Sequence, residues 1–260
     1  TMENAMMMSD RHKQIISALK EHPQITVKEL AKMLYVSEPT IRRDFTVLDK
    51  KGIITKVYGG AKLNQGYADR EIPFSFRQNE KSTVKSAIGK KAGELVKDGM
   101  VVMLDGSTSS YYLAEFLTKK KDLIVITSGA KTAVALAEAN IRVFCTGGQM
   151  ITNSFSYVGQ QAEDFVKNIN ADILFFSCRG VTFDGKMTDL SIEESNLRRA
   201  MMKSCNKKYL LCDGSKFGKT YFYNIGTVSE LDGIISEQQL PEAIQKIGQW
   251  DDAVAPCRLP

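Results

Sequence analysis

The spacing of apolar residues near the start of the chain predicts two short amphipathic helices that lead into a third. Apolar side chains recur every three to four residues, which places them on one buried face of each helix. In the first two helices they are Ile15, Ile16, Leu19, Val27, Leu30 and Leu34. Thr26 begins the second helix as its N-cap, and Glu29 completes a capping box. Ser37 is predicted to cap the third helix, with Pro39 in its first turn.

The third helix divides into an apolar face and a polar, basic face. Ile41, Phe45 and Leu48 share the face expected to pack against the second helix. Asp44 would repel phosphate, so we interpret it as a structural partner of a neighbouring basic side chain. The side chains left pointing elsewhere are Thr40, Arg42, Arg43 and Thr46.

This polar face has the composition of a surface that contacts DNA. An arginine in the major groove can pair bidentately with guanine, and a hydroxyl can serve bases or phosphates. An isolated arginine pair is more often a solvated surface. Arg42 and Arg43, however, lie in the first two turns of a helix that follows another helix and a tight turn. This is the helix-turn-helix arrangement, and it favours DNA contact.

A hairpin is predicted directly after the third helix. Residues 52–63 contain two β-prone runs separated by Gly59-Gly60. Such a hairpin forms a wing, from which Lys56, Tyr58 and Lys62 could reach the DNA backbone or minor groove. Residues 1–63 hold 11 basic and 7 acidic residues, a net charge of +4, while the rest of the +5 chain contributes +1. Most of the positive excess therefore lies where phosphate neutralisation needs it.

This stretch resembles the winged helix-turn-helix of the DeoR family of bacterial regulators. The family signature opens with an arginine and spaced aliphatic residues and closes with Ser-x-x-Thr-aliphatic-Arg-basic-Asp and an apolar residue. Its counterparts here are Arg11, Ile15, Leu19, Ser37, Thr40, Ile41, Arg42, Arg43, Asp44 and Phe45. The resemblance implies double-stranded operator DNA as a partner, and a homodimer or homotetramer, since a single winged helix buries little surface. The DNA-binding candidates are Ser37, Thr40, Arg42, Arg43, Thr46, Lys56, Tyr58 and Lys62.

Composition narrows the class of protein further. Apolar residues make up 43% and charged residues 25% of the 260-residue chain, as in ordinary soluble domains. No apolar run approaches the ~20 residues that span a bilayer, and the first residues lack the apolar stretch of a secretory signal, which predicts a cytoplasmic protein without membrane contact. The five cysteines form no CxxC pair and are interpreted as apolar residues in a reducing compartment. Because both histidines, His12 and His22, lie in or beside the first helix, we expect no metal site, and no cofactor.

The second part of the chain alternates between strands and helices. Periodicity disappears over residues 64–80, which contain Gly66 and Pro73 and are interpreted as a linker between residues 1–63 and a second domain at 81–260. The alternation beyond it predicts an α/β domain with a parallel sheet covered on both faces. Predicted strands lie at 100–104, 123–127, 141–145, 173–176 and 209–212. Predicted helices lie at 110–117, 131–139 and 192–204, with a further helix before residue 98.

Three loops at predicted strand ends have a composition suited to anions. Asp105-Gly-Ser-Thr-Ser109 leads directly into a helix, so its hydroxyl and N–H groups converge where the helix dipole favours negative charge. Thr127-Ser128-Gly129 repeats this arrangement, and Thr146-Gly147-Gly148 lets the backbone approach a ligand closely. Each loop alone is better explained as a helix cap or turn. Because ligands bind at the carboxyl ends of such strands, the three loops together favour a phosphate or sugar-phosphate pocket.

The second domain resembles the sensor domain of DeoR-family proteins, whose fold is similar to that of ribose-5-phosphate isomerase. The residues that carry the resemblance are Pro73-Phe74, Arg77, Glu80-Lys81, Asp105–Thr108, Gly147-Gly148, Glu194, Arg198–Met201, Asp213 and Ser215–Phe217. It implies a phosphorylated sugar or related metabolite as the effector. The effector-site candidates are Asp105, Gly106, Ser107, Thr108, Ser109, Thr127, Ser128, Gly147, Gly148, Arg179, Gly180, Glu194 and Lys216.

The chain departs from the family pattern at residues 177–180. Family members often have Gly-x-Asp-Gly where this chain has Ser-Cys-Arg-Gly. An arginine in place of an acid makes the pocket more cationic. We therefore expect Arg179 to contact a phosphate or a carboxylate of the effector. Lys216, which leaves a strand end in a Gly/Ser loop, fits either a phosphate contact or a solvated surface position.

Two classes of function remain open at this stage. The first is a transcriptional regulator, most simply a repressor of a sugar or carbohydrate operon that a sugar phosphate releases from its operator; an activator would use the same residues. The second is a sugar-phosphate isomerase-like enzyme with an accessory DNA-binding module, in which Asp105, Glu194 and Lys216 transfer protons. No spaced acid/base pair demands catalysis, and effector binding explains the same residues. The sequence therefore favours the regulator, without identifying its effector, operator or target genes.

Overall fold

A computed structural model describes residues 10–22, 24–50, 53–63, 73–248 and 250. The chain divides into two compact units, with the boundary between Arg77 and Gln78. Predicted linker residues 64–72, the hairpin position Gly52 and Cys257 lie outside the described residues. Within the described ranges, no helix combines the length and apolar character needed to cross a bilayer.

The first unit contains three helices and a three-stranded sheet. Its elements are α1 (Asp10–Glu21), β1 (Gln24–Thr26), α2 (Val27–Met33), α3 (Glu38–Lys50), β2 (Ile54–Val57) and β3 (Gly60–Leu63). β2 and β3 form the predicted hairpin, while β1, which was not predicted, pairs antiparallel with β3. Thr26 and Glu29 exchange the two hydrogen bonds of a capping box, as expected. The apolar faces meet in one core that includes Ile15, Ile16, Leu19, Leu30, Ile41, Phe45 and Leu48.

A short helix, α4 (Phe74–Asn79), lies in the segment interpreted as a linker. Phe76 is 6% exposed and belongs to the apolar core of the first unit. In the second unit, the Tyr112 hydroxyl donates a hydrogen bond to the carbonyl of Gln78 at 3.0 Å. The loss of periodicity over residues 64–80 gave no sign of this helix at residues 74–79. Six residues are too few for a helical period to stand out from the sequence.

The second unit is built around a six-stranded parallel sheet. The helices and strands are α5 (Ser82–Glu94), β4 (Val101–Leu104), α6 (Thr108–Leu117), β5 (Ile124–Thr127), α7 (Ala130–Glu138), β6 (Arg142–Cys145), β7 (Gln149–Ile151), β8 (Ser156–Val158), α8 (Gln160–Lys167), β9 (Ala171–Phe176), β10 (Gly180–Val181), β11 (Lys186–Asp189), α9 (Ile192–Lys203), β12 (Cys205–Leu211), β13 (Tyr223–Thr227), β14 (Gly233–Ile235) and α10 (Glu242–Gln245). The sheet order is β14-β12-β9-β4-β5-β6, with all pairs parallel. The predicted α/β fold is confirmed.

Helices cover both faces of this sheet. On one face, Ile88 of α5 and Leu113 of α6 pack in a core with Val102 of β4. On the other, Met201 of α9 packs in a core with Met103, the next residue of the same strand. Successive side chains of a strand point to opposite faces, so each strand supplies both cores.

The strand order reverses between β4 and β9. From β4 the chain continues through β5 and β6 on one side, and β9, β12 and β14 lie on the other. In parallel α/β sheets, ligands bind outside the carboxyl ends of the strands at such a switch point. Two small antiparallel sheets were not predicted: the β7–β8 hairpin and the sheet β10-β11-β13, whose register shifts between Met187 and Thr188.

Candidate DNA-binding and effector sites

The polar side of α3 carries the predicted DNA-reading residues. Arg42 and Arg43 are exposed, and Thr40 and Thr46 are partly exposed. Arg42 Nη2 lies 3.4 Å from the Glu38 carboxylate, one helical turn earlier. Because both side chains are exposed, this ion pair adds little stability, and contacts to DNA can replace it. The hydroxyls of Ser37 and Thr40 lie 2.9 Å apart at the start of the helix. One helix therefore presents the guanidinium and hydroxyl groups that major-groove recognition uses.

Asp44 fixes α3 to α1. Its carboxylate is 5% exposed and accepts hydrogen bonds from Arg11 Nε at 2.6 Å and Nη2 at 3.0 Å. His12 Nε2 lies 3.0 Å from the same carboxylate. The structural role expected for Asp44 is confirmed. The contact accounts for an acidic residue on a helix that also exposes Arg42 and Arg43.

The two lysines of the wing lie on opposite faces of the hairpin. Lys56 pairs with Ala61, and Thr55 pairs with Lys62. Because side chains alternate across a strand, Lys56 shares the face of buried Ala61, and Lys62 lies on the other face. Lys56 Nζ lies 3.9 Å from Asp49 of α3. A single DNA groove would therefore meet the two lysines from different directions.

Two exposed tyrosines stand at turns of the first unit. Tyr58 is fully exposed at the wing turn, and this turn is held to α2 because the Val27 N–H donates to the Gly59 carbonyl at 2.9 Å. Tyr35 lies between α2 and α3 with a left-handed φ of 53° and 96% of its surface exposed. Tyr35 belongs to no spaced motif and was therefore not a candidate from the sequence. Its position just before α3 adds it to the DNA-binding candidates.

Asp105 lies at the switch point, buried to 1% exposure. Its Oδ1 accepts hydrogen bonds from the Ser107 N–H at 3.1 Å and the Ser110 hydroxyl at 2.6 Å. Its Oδ2 accepts from the Ser177 N–H at 3.2 Å and Arg198 Nε at 2.9 Å. Burial opposes ionisation, but the guanidinium and the serine hydrogen bonds outweigh it and hold the pKa of Asp105 below its usual range. The loop at residues 105–109, which the sequence predicts to bind an anion, therefore lies around the carboxylate of Asp105.

Arg198 holds three carboxylates together. Its guanidinium lies 2.9 Å from Asp105, 2.9 Å from Asp189 and 3.6 Å from Glu194. Burial disfavours the charge, but the three carboxylates outweigh burial and raise the pKa of Arg198 above its ordinary value. The Arg198 side chain is 5% exposed. Removing one member of such a cluster leaves buried charge without a partner, so the cluster is part of the framework of the site.

Two further cations near the cluster are more exposed than Arg198. Lys216 Nζ donates to the Ser177 hydroxyl at 2.6 Å and lies 4.0 Å from Asp213. Arg179 Nε lies 3.9 Å from Asp189. The side chains of Lys216 and Arg179 are 18% and 17% exposed, more than three times the exposure of the clustered arginine. They are the more exposed cations beside the cluster, but neither is among the residues that line the cleft next to Asp105 and Arg198.

Asp213 follows the end of β12 and adds another buried carboxylate to this group of charged residues. It accepts hydrogen bonds from Lys81 Nζ at 2.9 Å and the Ser215 N–H at 3.1 Å. Burial opposes ionisation, but Lys216 and Lys81 outweigh it and hold the pKa of Asp213 well below its usual range. Lys81 was not selected from the sequence as a pocket residue. No spacing signal links it to Asp213, which lies 132 positions away.

Predicted and unpredicted residues line one small cleft at the switch point. Its lining residues are Asp105, Gly106, Ser128, Ser156, Val158, Glu194, Leu197 and Arg198. The structure therefore brings Asp105, Gly106, Ser128 and Glu194 together. Ser156 and Val158 come from β8, a strand too short to be recognised from the sequence.

Other predicted effector residues lie around this cleft without lining it. Ser107, Thr108, Ser109 and Thr127 are buried, and the Thr127 hydroxyl accepts from the Gly129 N–H at 3.0 Å. Gly147 and Gly148 have φ of 70° and 97°, which explains the glycines by backbone conformation. Gly180 lies in β10, where a Cβ would come 2.5 Å from the Lys219 carbonyl oxygen. Their roles in effector binding remain predictions.

The described thiols and acidic groups limit the chemistry of the site. Burial raises the pKa of Cys178 to about 12, so this thiol is protonated at neutral pH and is a poor nucleophile. Cys145, Cys178, Cys205 and Cys212 are free thiols. Across the described ranges, no three His, Cys, Asp or Glu side chains are grouped to hold a metal ion.

These features define a class of protein: a winged helix-turn-helix unit followed by a parallel-sheet α/β unit with a polar crevice at its switch point. Residues 11–66 match the DeoR-like helix-turn-helix domain, and residues 80–238 match the DeoR C terminal sensor domain. The chain therefore belongs to the DeoR family of transcriptional regulators, as the resemblance of both parts predicted.

Three named transcriptional regulators are similar in sequence to this chain over nearly its whole length. The HTH-type transcriptional regulator GolR of Listeria innocua is 36% identical, with 98% of this chain and 99% of that protein covered. The lactose phosphotransferase system repressor of Streptococcus mutans is 29% identical, with 96% and 100% covered. The L-fucose operon activator of Haemophilus influenzae is 29% identical, with 94% and 98% covered.

Solved structures show weaker similarity. The translation initiation factor eIF-2B of Pyrococcus horikoshii has a TM-score of 0.46 at 16% identity, with 86% of each chain covered. Ribose 5-phosphate isomerase from Plasmodium falciparum has a TM-score of 0.39 at 16% identity, with 54% of this chain and 53% of that chain covered. Similarity at this level transfers no activity to the chain.

Proposed function

We propose that the protein is a repressor that binds operator DNA through α3 and the wing and is released by a phosphorylated sugar or related metabolite. The observation that carries this proposal is the pair of accessible cations, Lys216 and Arg179, at the switch point. They occur in a chain whose α3 exposes Arg42 and Arg43. One chain thus holds groups suited to DNA and, separately, groups suited to a small anion.

An anionic effector can recruit both cations without breaking the buried cluster. The nearest carboxylates lie 4.0 Å from Lys216 Nζ and 3.9 Å from Arg179 Nε, longer than a charge-assisted hydrogen bond of about 2.7–2.9 Å. An effector oxygen at that shorter distance would replace a weak interaction with a stronger one. Release of DNA then requires the effector to bind the DNA-free form more tightly than the DNA-bound form.

Named relatives support a sugar operon as the target. They include the lactose phosphotransferase system repressor and a putative aga operon transcriptional repressor of Escherichia coli. The L-fucose operon activator favours a second candidate, an activator that needs its effector to bind DNA. The two candidates use the same residues. They differ in whether the effector lowers or raises operator affinity.

The geometry supports a regulator over an isomerase-like enzyme. A general base must direct a lone pair at a substrate proton, whereas the Asp105 carboxylate already accepts four hydrogen bonds from the protein. The Glu194 carboxylate forms an ion pair with the Arg198 guanidinium at 3.6 Å. We further propose that the protein acts in the cytoplasm as a homodimer or homotetramer on repeated half-sites.

The experiment begins by selecting operator fragments from genomic DNA of the source organism with the purified protein. Gel shifts on a selected fragment are then repeated with a panel of phosphorylated sugars. We expect at least one to reduce the bound fraction. Lys216→Met should raise the concentration needed by about 10- to 100-fold, because one charge-assisted hydrogen bond is lost.

The matched control is Lys186→Met. Lys186 is an exposed lysine whose 2.8 Å ion pair with Asp184 involves neither Ser177 nor Asp213, the partners of Lys216, so this variant should respond as the wild type does. If no phosphorylated sugar alters operator binding, or if Lys216→Met and the wild type respond equally, the proposed effector site is wrong.

A further inference from the structure

Lys81 begins α5 in a backbone conformation that lysine rarely adopts. It is the N-cap residue of the helix, with φ 52° and ψ 40° in the left-handed region, and it makes no side-chain cap hydrogen bond. This conformation costs free energy for a residue that has a Cβ. Such backbone outliers persist where the surrounding structure fixes them, and they cluster at ligand sites and switch regions. The contacts that hold Lys81 in place therefore bear on function.

A single buried carboxylate connects Lys81 with a cation of the proposed effector site. Lys81 Nζ donates a hydrogen bond to Asp213 Oδ1 at 2.9 Å, and Lys216 Nζ lies 4.0 Å from Asp213 Oδ2. The Asp213 side chain is 7% exposed, and the Lys81 side chain is 38% exposed. Because water and salt screen a buried charge only weakly, a change of charge at Lys216 alters the electrostatic potential at Lys81.

Lys81 lies close to the point at which the chain enters the second unit. The second unit starts at Gln78, inside α4. The Gln78 carbonyl accepts a hydrogen bond from the Tyr112 hydroxyl of α6 at 3.0 Å, and the Glu80 carbonyl accepts one from Lys85 Nζ of α5 at 2.7 Å. The start of the second unit is therefore held by two helices and, through Lys81, by the loop after β12.

An anion bound to Lys216 changes the charge balance at Lys81. Without the anion, the ammonium group of Lys216 partly offsets the attraction of the Asp213 carboxylate for Lys81. A phosphate or carboxylate bound to Lys216 neutralises that ammonium group, so the potential at Lys81 becomes more negative. Lys81 is then attracted more strongly to the loop after β12, and the start of the second unit is held more firmly.

We propose that Lys81 is a positioning residue that couples effector binding at Lys216 to the start of the second unit, with Asp213 as the link. This inference rests on the proposed function and supplies a step that it leaves open. The form of the protein in which Lys81 is held firmly binds the effector more tightly and the operator less tightly. An effector needs such a difference in affinity between two forms to release DNA.

The test compares Lys81→Met, which removes the charge and keeps an unbranched side chain, with Lys81→Arg, which keeps the charge. Titration calorimetry of the full chain without DNA measures affinity for the most effective sugar phosphate of the gel-shift panel. Operator affinity is then measured with and without a saturating concentration of the same compound. In the wild type, saturation should weaken operator binding about 10-fold or more. In Lys81→Met this factor should fall to about 2-fold or less.

Two further readouts separate coupling from stability. Lys81→Met should bind the sugar phosphate within a few-fold of the wild type, because Lys81 acts through Asp213 and not on the ligand. Hydrogen exchange at residues 78–81 should slow when the sugar phosphate binds the wild type and should not respond in Lys81→Met. A role in stability alone would lower the melting temperature of Lys81→Met without altering either response. Lys81→Arg should behave as the wild type.

Lys91→Met is the matched control, because Lys91 lies on the same helix and forms an ion pair with Glu94 at 3.0 Å. It should keep the wild-type factor. An unchanged factor in Lys81→Met, or an equal loss in Lys91→Met, would overturn the inference and leave the proposed function standing. A loss of sugar-phosphate affinity as large as that of Lys216→Met would also overturn it, since Lys81 would then contact the effector directly. If no sugar phosphate weakens operator binding by the wild type, the proposed function fails and the inference fails with it.

Discussion

Arg198→Met removes the cation shared by Asp105, Asp189 and Glu194 and leaves an unbranched apolar side chain. The three carboxylates lie 2.9, 2.9 and 3.6 Å from the guanidinium and are 1%, 4% and 7% exposed. Removing one partner of a buried ion pair costs about 3–5 kcal/mol. Because three carboxylates lose their partner, we expect the upper part of that range. For a unit of this size, the melting temperature should fall by about 8–20 °C.

The pH dependence of stability should also change. In the wild type the folded-state pKa of Asp105 is lowered, so its stabilising contribution is complete above the unfolded-state pKa and is lost as the pH falls through the folded-state pKa. Without Arg198, the largest opposing cause is gone, and burial raises the folded-state pKa of Asp105. The stability that Asp105 contributes in its protonated form is then lost as the pH rises through that pKa. The Arg198→Met variant should therefore be more stable near pH 5 than near pH 8. In the wild type, Asp105 makes the same contribution to stability at both pH values.

Scanning calorimetry of the full chain between pH 5 and pH 8 measures both effects. Lys186→Met is the control, because it removes an ion pair whose side chains are 54% and 60% exposed and should cost no more than about 1 kcal/mol. An Arg198→Met melting temperature equal to that of the wild type, or a destabilisation independent of pH, would refute the reasoning.

Three further predictions concern the first unit. Arg43→Ala should weaken operator binding about 10- to 100-fold in a gel shift without changing the melting temperature; unchanged affinity would remove Arg43 from the interface. Gly60→Ala places a Cβ 2.3 Å from the Ile25 carbonyl oxygen and should cost about 1–3 kcal/mol in chemical denaturation; an unchanged midpoint would show that the wing relaxes freely. Thr26→Ala removes the cap that accepts the Glu29 N–H and should cost about 1 kcal/mol by the same measurement; a neutral result would mean that the capping box adds no stability.

The parts of the fold that were predictable from the sequence have a regular apolar period over enough residues. α3 alternates between Ile41, Phe45 and Leu48 on one face and arginines on the other, and β4, β5, β6, β9 and β12 are apolar runs between turn residues. β1 has three residues, β10 has two and α4 has six. Over such lengths a helical or strand period cannot be distinguished from chance.

The candidate site was predictable in composition but not in its pairings. Asp105 and its serine-rich loop could be identified from the sequence, but not that the Ser107 N–H and the Ser110 hydroxyl donate to Asp105 itself. Arg198 lies 93 positions from Asp105, and Lys81 lies 132 positions from Asp213. Sequence spacing carries no information about which acid meets which cation over such separations. The fold brings them together at the carboxyl ends of β4, β9 and β12.

Release of operator DNA by a phosphorylated sugar is best measured by a fluorescence anisotropy titration of a labelled operator duplex bound to the protein. Each sugar is added in its phosphorylated and unphosphorylated form. We expect a phosphorylated sugar to lower the anisotropy to that of free DNA, whereas its unphosphorylated counterpart should not. The phosphorylated sugar should be recovered unchanged. A panel in which no phosphorylated sugar shifts the anisotropy, or in which the active compound is converted to product, would contradict this expectation.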